Sequence, residues 1–368
     1  MFKIPQNVEY VIDRLTQNGH KAYIVGGCVR DILLNQTPHD FDITTSAKPE
    51  EIICLFEKTV PTGIKHGTVT VLIENEPIEV TTFRTEGNYT DNRRPDSVVF
   101  VNDLKEDLSR RDFTVNALAY NHKEGLQDYF GGQTDLKNKI LRAVGNPETR
   151  FKEDALRILR LFRFASTLNF TIHEQTFKDA VKCANLLKNV SRERIFEEIK
   201  KAVCGDNFEI FTPLIECGAL EFLNIKAFHD FEKIKEHKGI LGLYIFLGSK
   251  SLNELKPSKT EKEYFKTLDI LKNMPCNTNA DIKEMLNIAN SDILKDFFLL
   301  YNLDMQKLER VINSGEPYSV KHLKINGDDL IKLGFKGEEV GNILEYLRKA
   351  VISHPEKNNK KDLLNEIP

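Results

Sequence analysis

Gly26-Gly27-Cys28-Val29-Arg30-Asp31, followed a short way on by Asp40-Phe41-Asp42-Ile43-Thr44-Thr45, is the stretch whose reading decides the fold. The glycines come after a strand-like run, Lys21-Ala22-Tyr23-Ile24-Val25, and open a helix-like one. Such a turn offers backbone N–H groups to a phosphate, and Arg30 adds a charge-assisted donor. A Gly-Gly turn is also a plain structural device and alone decides little. In Asp40-Phe41-Asp42 an extended chain sends residues i and i+2 to one face, so both carboxylates can share a cation while Phe41 turns into the core. Mg²⁺ takes a few carboxylate oxygens plus substrate phosphates, and two such ions about 4 Å apart hold the attacking and leaving oxygens of an in-line displacement. Glycine turn and paired carboxylates in succession therefore predict a catalytic site for a triphosphate. Glu79, in Ile78-Glu79-Val80, is expected to complete the cation shell or to accept the attacking hydroxyl's proton. Its alternative is an outward-facing Glu on a half-exposed strand.

Outward from this stretch, Thr68 to Ile73 and Ile78 to Phe83 are rich in β-branched residues and read as further strands. From Pro147 the period changes to that of helices, predicted over Glu148 to Thr167, Glu174 to Leu187 and Ser191 to Val203, with Pro147 as a start signal and Gly205 as a stop. Later breaks fall near 248–258 and 314–318, and the lysine-rich end, Lys357 to Lys361, reads as a solvated tail.

The 368 residues exceed one ordinary core, and 40% hydrophobic with 29% charged residues is a globular composition. A net charge of -3 excludes a polycation, so nucleic-acid binding has to come from local basic faces. No apolar run approaches a membrane span, which leaves no membrane partner and a cytoplasmic location as the expectation. The six cysteines form no Cys-x-x-Cys pair, which argues against zinc and redox chemistry and for scattered buried thiols.

Two further strings carry chemistry. In Ser109-Arg110-Arg111-Asp112-Phe113-Thr114-Val115-Asn116, Arg111 can reach a phosphate while Asp112 and Asn116 can meet ribose hydroxyls. In Glu153 to Arg163, Asp154, Arg157, Arg160 and Arg163 recur at i+3 on one predicted helix, so Asp154 can brace Arg157. A carboxylate beside a guanidinium offers an acceptor and donors in one plane. That plane suits the edges of cytosine and adenine, whereas uracil and guanine set donor against donor or acceptor against acceptor.

With these motifs in this order, from Gly26 to Arg163, the chain resembles the nucleotidyltransferase superfamily. More narrowly it is similar to the bacterial class II CCA-adding enzymes, tRNA nucleotidyltransferases that also resemble bacterial poly(A) polymerases; beyond about residue 205 the likeness is looser. The resemblance implies an α+β fold: a nucleotidyltransferase head with a mixed β-sheet and helices over 1–145, then an all-α neck (146–205), body (206–310) and tail (311–368). It implies Mg²⁺ on Asp40 and Asp42, with Glu79 as a further catalytic candidate. Gly27, Arg30 and Arg111 are implied to bind nucleotide, Asp154 and Arg157 to select CTP and ATP, and Arg160 and Arg163 to contact phosphates or hold that pair. The partners implied are CTP, ATP and the tRNA acceptor end, with a homodimer carried as a further candidate.

Arg84 to Asp96 reads as a mobile loop, which the resemblance associates with the switch to adenine addition and hence with complete CCA synthesis. Gly131-Gly132 reads equally as a hinge or a plain turn. Lys137, Lys139, Arg142, Arg150, Lys152, Arg192, Arg194, Lys200 and Lys201 could line a track for RNA. His229-Asp230 lacks further ligands and reads as surface chemistry. The rivals are a poly(A) polymerase of the same superfamily and a non-catalytic RNA-binding protein on this fold.

Overall fold

β-branched runs between glycine and asparagine turns build the sheet that carries the acidic pair. In the computed structural model, which describes residues 3–87, 97–225 and 230–368, the chain begins with α1 (Gln6–Gln17), β1 (Ala22–Val25), α2 (Gly27–Leu33), β2 (Asp42–Thr45) and α3 (Pro49–Leu55). It continues through β3 (Thr59–Gly63), β4 (Thr68–Ile73), β5 (Glu76–Thr82), β6 (Arg84–Glu86), β7 (Val98–Phe100), α4 (Leu104–Ser109), β8 (Leu118–Asn121), β9 (Gly125–Asp128) and α5 (Gly132–Lys137). Seven strands lie in the order β3-β4-β5-β2-β1-β8-β9. β2 and β5 run parallel and their neighbours antiparallel, the mixed sheet expected of the head.

Period-two alternation buries Ile78, Val80 and Thr82 of β5 and leaves Glu79 exposed between them. Behind the sheet, Tyr23, Val25 and Ala119 pack with Phe83, Leu104 and Leu108. Burial of this apolar surface is what fixes the register of the strands that carry the acids.

The segment read as a loop from Arg84 is ordered at its base. Val98-Val99-Phe100 are good strand formers and pair antiparallel with Arg84 to Glu86, so β6 and β7 make a ribbon. The rest of that predicted loop, 88–96, lies outside the described residues, as does His229. Asp230 caps the helix Phe231–Glu236 by accepting the Lys233 N–H at 3.0 Å. Gly131 has φ +77° and caps α5, and a β-carbon on Gly132 would fall 2.3 Å from the Thr114 carbonyl oxygen, so the pair is a helix start pressed on the second motif.

Beyond β10 (Ile140–Leu141) come α6 (Pro147–Glu153), α7 (Leu156–Leu168), β11 (Thr171–Ile172), α8 (Glu174–Cys183) and α9 (Arg192–Ala202). The single helix predicted over Glu148 to Thr167 is two. Asp154 is extended (φ -134°, ψ 103°) and its carboxylate accepts the Leu156 N–H at 3.1 Å, ending α6 and capping the start of α7. An aspartate that satisfies a free helical N–H in this way outweighs the continuous apolar period on either side.

The described chain forms two compact units, Met1–Gly239 and Ile240–Pro368. The second is helical, with a core of Ile325, Leu330, Ile343, Leu347, Val351 and Leu363. The lysine-rich end is no loose tail. Leu363 is buried, Lys357 pairs with Glu366 at 2.6 Å and Lys360 with Asp329 at 2.7 Å, because Leu363 anchors the helix Lys360–Asn365. All six cysteines are free, but only Cys28 and Cys183 are buried; Cys54, Cys204 and Cys217 are exposed and Cys276 is half-buried. No described helix is long and apolar enough to cross a membrane.

Candidate active site

β2 starts at Asp42, with Asp40 two residues ahead of it, so the Asp-x-Asp pair straddles the start of the strand. Parallel pairing sets Asp42 beside Glu79, and antiparallel pairing sets Glu79 beside Thr70. Directly opposed residues share a face of the sheet, and here that face is the wall of a cavity of about 880 Å³ lined by Asp40, Asp42, Glu79 and Thr70. Phe41 lines the same cavity and is half-buried, contrary to the expectation that it enters the core. Regular alternation has not begun where it sits, one residue ahead of the strand.

The carboxylates feel one another. Burial lifts the Asp42 carboxyl above the ordinary range, Arg111 pulls against that lift, and Asp40 adds to it. Partial burial, then the charges of Asp42 and Asp40, raise Glu79. Among the described residues no three His, Cys, Asp or Glu side chains form a ready metal cage. Mg²⁺ needs only one or two protein carboxylates when substrate phosphates and water complete its shell. Two adjacent aspartates with a third carboxylate on the neighbouring strand, mutually repelling at a cavity wall, fit a divalent cation shared with a phosphate.

The glycine turn adjoins this face. Gly26 has φ +82°, and a β-carbon there would lie 2.8 Å from Nη1 of Arg111, so only glycine lets the guanidinium rest against the turn. Nε of Arg111 is buried and has no hydrogen-bond partner among the described residues. Burial lowers the Arg111 pKa against the pull of Asp107, Asp42 and Asp112, yet a guanidinium stays charged at any working pH. Cys28, on the first turn of α2, donates to the Val25 carbonyl at 3.4 Å, and burial pushes its thiol up to about 11.

Arg30 donates through Nη1 to Asn116 Oδ1 at 2.7 Å and pairs with Asp31 at 2.6 Å. Asn116 in turn donates to Asp112 at 3.1 Å, and Asp112 also accepts the Phe113 N–H at 2.8 Å. The second oxygen of Asp112 takes Arg160, through Nε at 2.8 Å and Nη2 at 2.6 Å. Burial alone would raise the Asp112 carboxyl, but Arg160 and Asn116 hold it down to about 2. Asp112 and Asn116, expected at ribose hydroxyls, thus sit in an internal chain that orients Arg30.

The brace expected between Asp154 and Arg157 does not form. Arg157 donates to Glu153 at 2.6 Å and to the carbonyls of Arg110 (2.9 Å) and Arg150 (3.2 Å). Asp154 is gripped instead by Arg194 of α9, at 3.1 and 2.7 Å. The cause is the helix break, which takes Asp154 off the helical i+3 geometry. Arg163 donates to the buried Glu198 at 2.8 Å, with its guanidinium 3.6 Å from the Phe164 ring centroid, and Arg160 reaches Glu198 at 3.8 Å. Several members of the expected basic track are likewise paired internally: Arg142 with Asp135, Arg150 with Glu153, Lys152 with Glu148.

Glu198, Phe164, Glu153 and Asp107 were not legible as site residues. Asp107 is fully buried and accepts from Thr44 at 3.0 Å and Arg110 at 2.8 Å, tying the acidic strand to the second motif. A usable signal existed for Glu198, which falls on the apolar face of α9 with Ile195 and Ile199. A buried acid on such a face demands a cationic partner.

Residues 22–142 match a family described as Poly A polymerase head domain, and residues 169–229 one described as probable RNA and SrmB- binding site of polymerase A. The CCA-adding enzyme of Staphylococcus haemolyticus is 38% identical over 97% of this chain and 96% of that protein. The chain belongs to the CCA-adding enzyme family. Its activity is the addition of CCA to tRNA, and of the readings above this one is favoured over poly(A) tailing or silent RNA binding. Among CCA-adding enzymes of known structure, that of Bacillus stearothermophilus in complex with CTP shares 31% identity and a TM-score of 0.80 over 98% of this chain and 96% of that one. A tRNA nucleotidyltransferase complexed with a primer tRNA and an incoming ATP analog shares 29% identity and a TM-score of 0.61, over 83% of this chain and 97% of that one. CCA-adding enzymes are nucleotidyltransferases that use divalent metal ions.

Proposed function

We propose that this chain joins CMP, CMP and AMP in turn to the 3′ end of tRNA at the cavity wall formed by Asp40, Asp42 and Glu79, with Mg²⁺ as its metal. The observation that carries the reading is the meeting of three mutually repelling carboxylates with a buried, incompletely paired Arg111 set on a glycine turn. One side of such a site gathers cations and the other an anion, as a nucleoside triphosphate with its metal requires.

In this mechanism Asp40 and Asp42 hold Mg²⁺. Held by these two carboxylates, divalent ions would supply positive charge against the phosphates. Arg111, the Gly27 backbone and Arg30 hold the triphosphate so that its α-phosphorus faces the incoming 3′ hydroxyl. That oxygen forms a bond to phosphorus as the bond to the β-phosphate bridging oxygen breaks, and pyrophosphate leaves. Glu79, whose carboxyl is raised, takes the hydroxyl proton. Asp154 accepts from the amino group shared by cytosine and adenine, and Arg157 donates toward the ring nitrogen. Arg160 and Arg163, locked on Asp112 and Glu198, hold that helix in place.

The CTP and ATP analog in the related complexes support these substrates, and the primer tRNA supports the acceptor end as the RNA partner. The reading carries a cytoplasmic location with it. It also assigns 1–145 to catalysis, 146–205 to base reading and 311–368 to tRNA binding, with 206–310 as the helical body between them.

The test is to incubate the protein with Mg²⁺ and tRNA lacking its 3′ CCA, supply each NTP alone and in mixture, and sequence the products. CC from CTP alone and CCA from CTP with ATP are expected. A long A tail, or UMP and GMP entering as readily as CMP, would overturn the assignment.

A further inference from the structure

We infer that Arg194, in the helix α9, is the positioning residue that aims the Asp154 carboxylate at the incoming base and so sets its preference for an amino-bearing edge. The inference rests on the proposed role of Asp154 as base reader. It concerns a residue in the stretch whose family description speaks of probable RNA and SrmB binding.

The count of acceptor positions carries the argument. An ionised carboxylate only accepts, and each oxygen offers about two lone-pair directions. Oδ1 of Asp154 accepts Arg194 Nη1 at 3.1 Å and the Leu156 N–H at 3.1 Å, which fills it. Oδ2 accepts Arg194 Nη2 at 2.7 Å and nothing further among the described residues. One acceptor direction is left, and Arg194's two-pronged grip fixes where it points. A base edge that presents an amino group can meet that lone pair. One that presents a carbonyl oxygen, as uracil does, sets acceptor against acceptor.

Arg194 is itself well placed to be rigid. One turn along α9, Glu198 is buried and takes Arg163 at 2.8 Å, so the same helix offers a cation to Asp154 and an acid to the motif's outer arginines. This complementary order docks α9 on α7 in a single register. Arg157 does not hold Asp154 in this way, because its Nη1 and Nη2 donate to Glu153 and two backbone carbonyls. A lysine at 194 would reach one oxygen as a point charge and would not fix the plane.

The experiment measures kcat/KM for CTP and for UTP on tRNA lacking its 3′ CCA, with Mg²⁺, in the full chain and in Arg194→Gln, Arg194→Lys and Asp154→Asn. Arg194→Gln is expected to lower the preference for CTP over UTP on the order of tenfold or more, with Arg194→Lys falling between it and the unaltered chain. A preference unchanged in Arg194→Gln, however far both rates fall, makes Arg194 a structural residue and overturns the inference while Asp154→Asn still relaxes selection. A preference unchanged in Asp154→Asn removes the base-reader role itself, and this inference with it.

Discussion

Replacing Asp112 by asparagine keeps the shape of a buried side chain, removes its charge and sets a donor amino group where one carboxylate oxygen accepted. In the folded chain Arg160 and Asn116 hold that carboxyl down to about 2, against about 3.9 for an unperturbed aspartate. The difference corresponds to a stabilisation of roughly 2–3 kcal/mol at neutral pH. Breaking a buried pair from one side costs about 3–5 kcal/mol because the other charge stays behind. Arg160 keeps Glu198 at 3.8 Å, which softens the loss, so a cost of about 2–4 kcal/mol is expected. Urea titration followed by circular dichroism measures it. Because the folded-state carboxyl is depressed, its contribution is present in full above the unfolded value and lost as pH falls through the folded one. The gap between the unaltered chain and Asp112→Asn should therefore narrow as pH drops from about 4 toward 2. A gap below about 0.5 kcal/mol at pH 7, or one that does not narrow on acidification, would refute the pairing of Asp112 with Arg160 as the source of the shift.

Gly26→Ala places a β-carbon against Arg111 at a φ of +82°; a rise in KM for CTP and a loss of about 1–3 kcal/mol are expected, read by steady-state kinetics and urea titration. Leu363→Ala should cost about 2–5 kcal/mol in the second unit and expose Lys357 to Lys361 to trypsin; a cleavage rate unchanged from the parent would restore the picture of a solvated tail. With a disulfide reagent at pH 8, Cys54, Cys204 and Cys217 should react quickly while Cys28, buried and pushed up to about 11, stays protected until the chain unfolds; fast labelling of Cys28 would contradict its burial.

The strands of the head were legible because β-branched residues and an isolated Glu79 between Ile78 and Val80 follow the two-residue period of a half-buried strand. The glycine turn and the two aspartates were legible for a related reason, since the residue types there are set by chemistry and by a backbone angle. What escaped the sequence was partner choice. Asp154 is 40 residues from Arg194, and Asp112 is 48 from Arg160, and nothing in a linear string says which of several arginines meets which acid. The break at Asp154 escaped for a subtler reason: the apolar period runs on through it, while an extended Asp154 and its capping bond to Leu156 separate α6 from α7. Arg84 to Glu86 read as loop because they are polar on both faces, and their pairing depends on Val98 to Phe100.

The central claim is that Asp42 holds metal beneath a bound triphosphate. Single-turnover incorporation of CMP into tRNA lacking its 3′ CCA, at saturating Mg²⁺ and CTP, tests it most directly in Asp42→Ala. A fall on the order of 10³-fold with an unchanged circular dichroism spectrum is the result expected. Incorporation near that of the unaltered chain would contradict it.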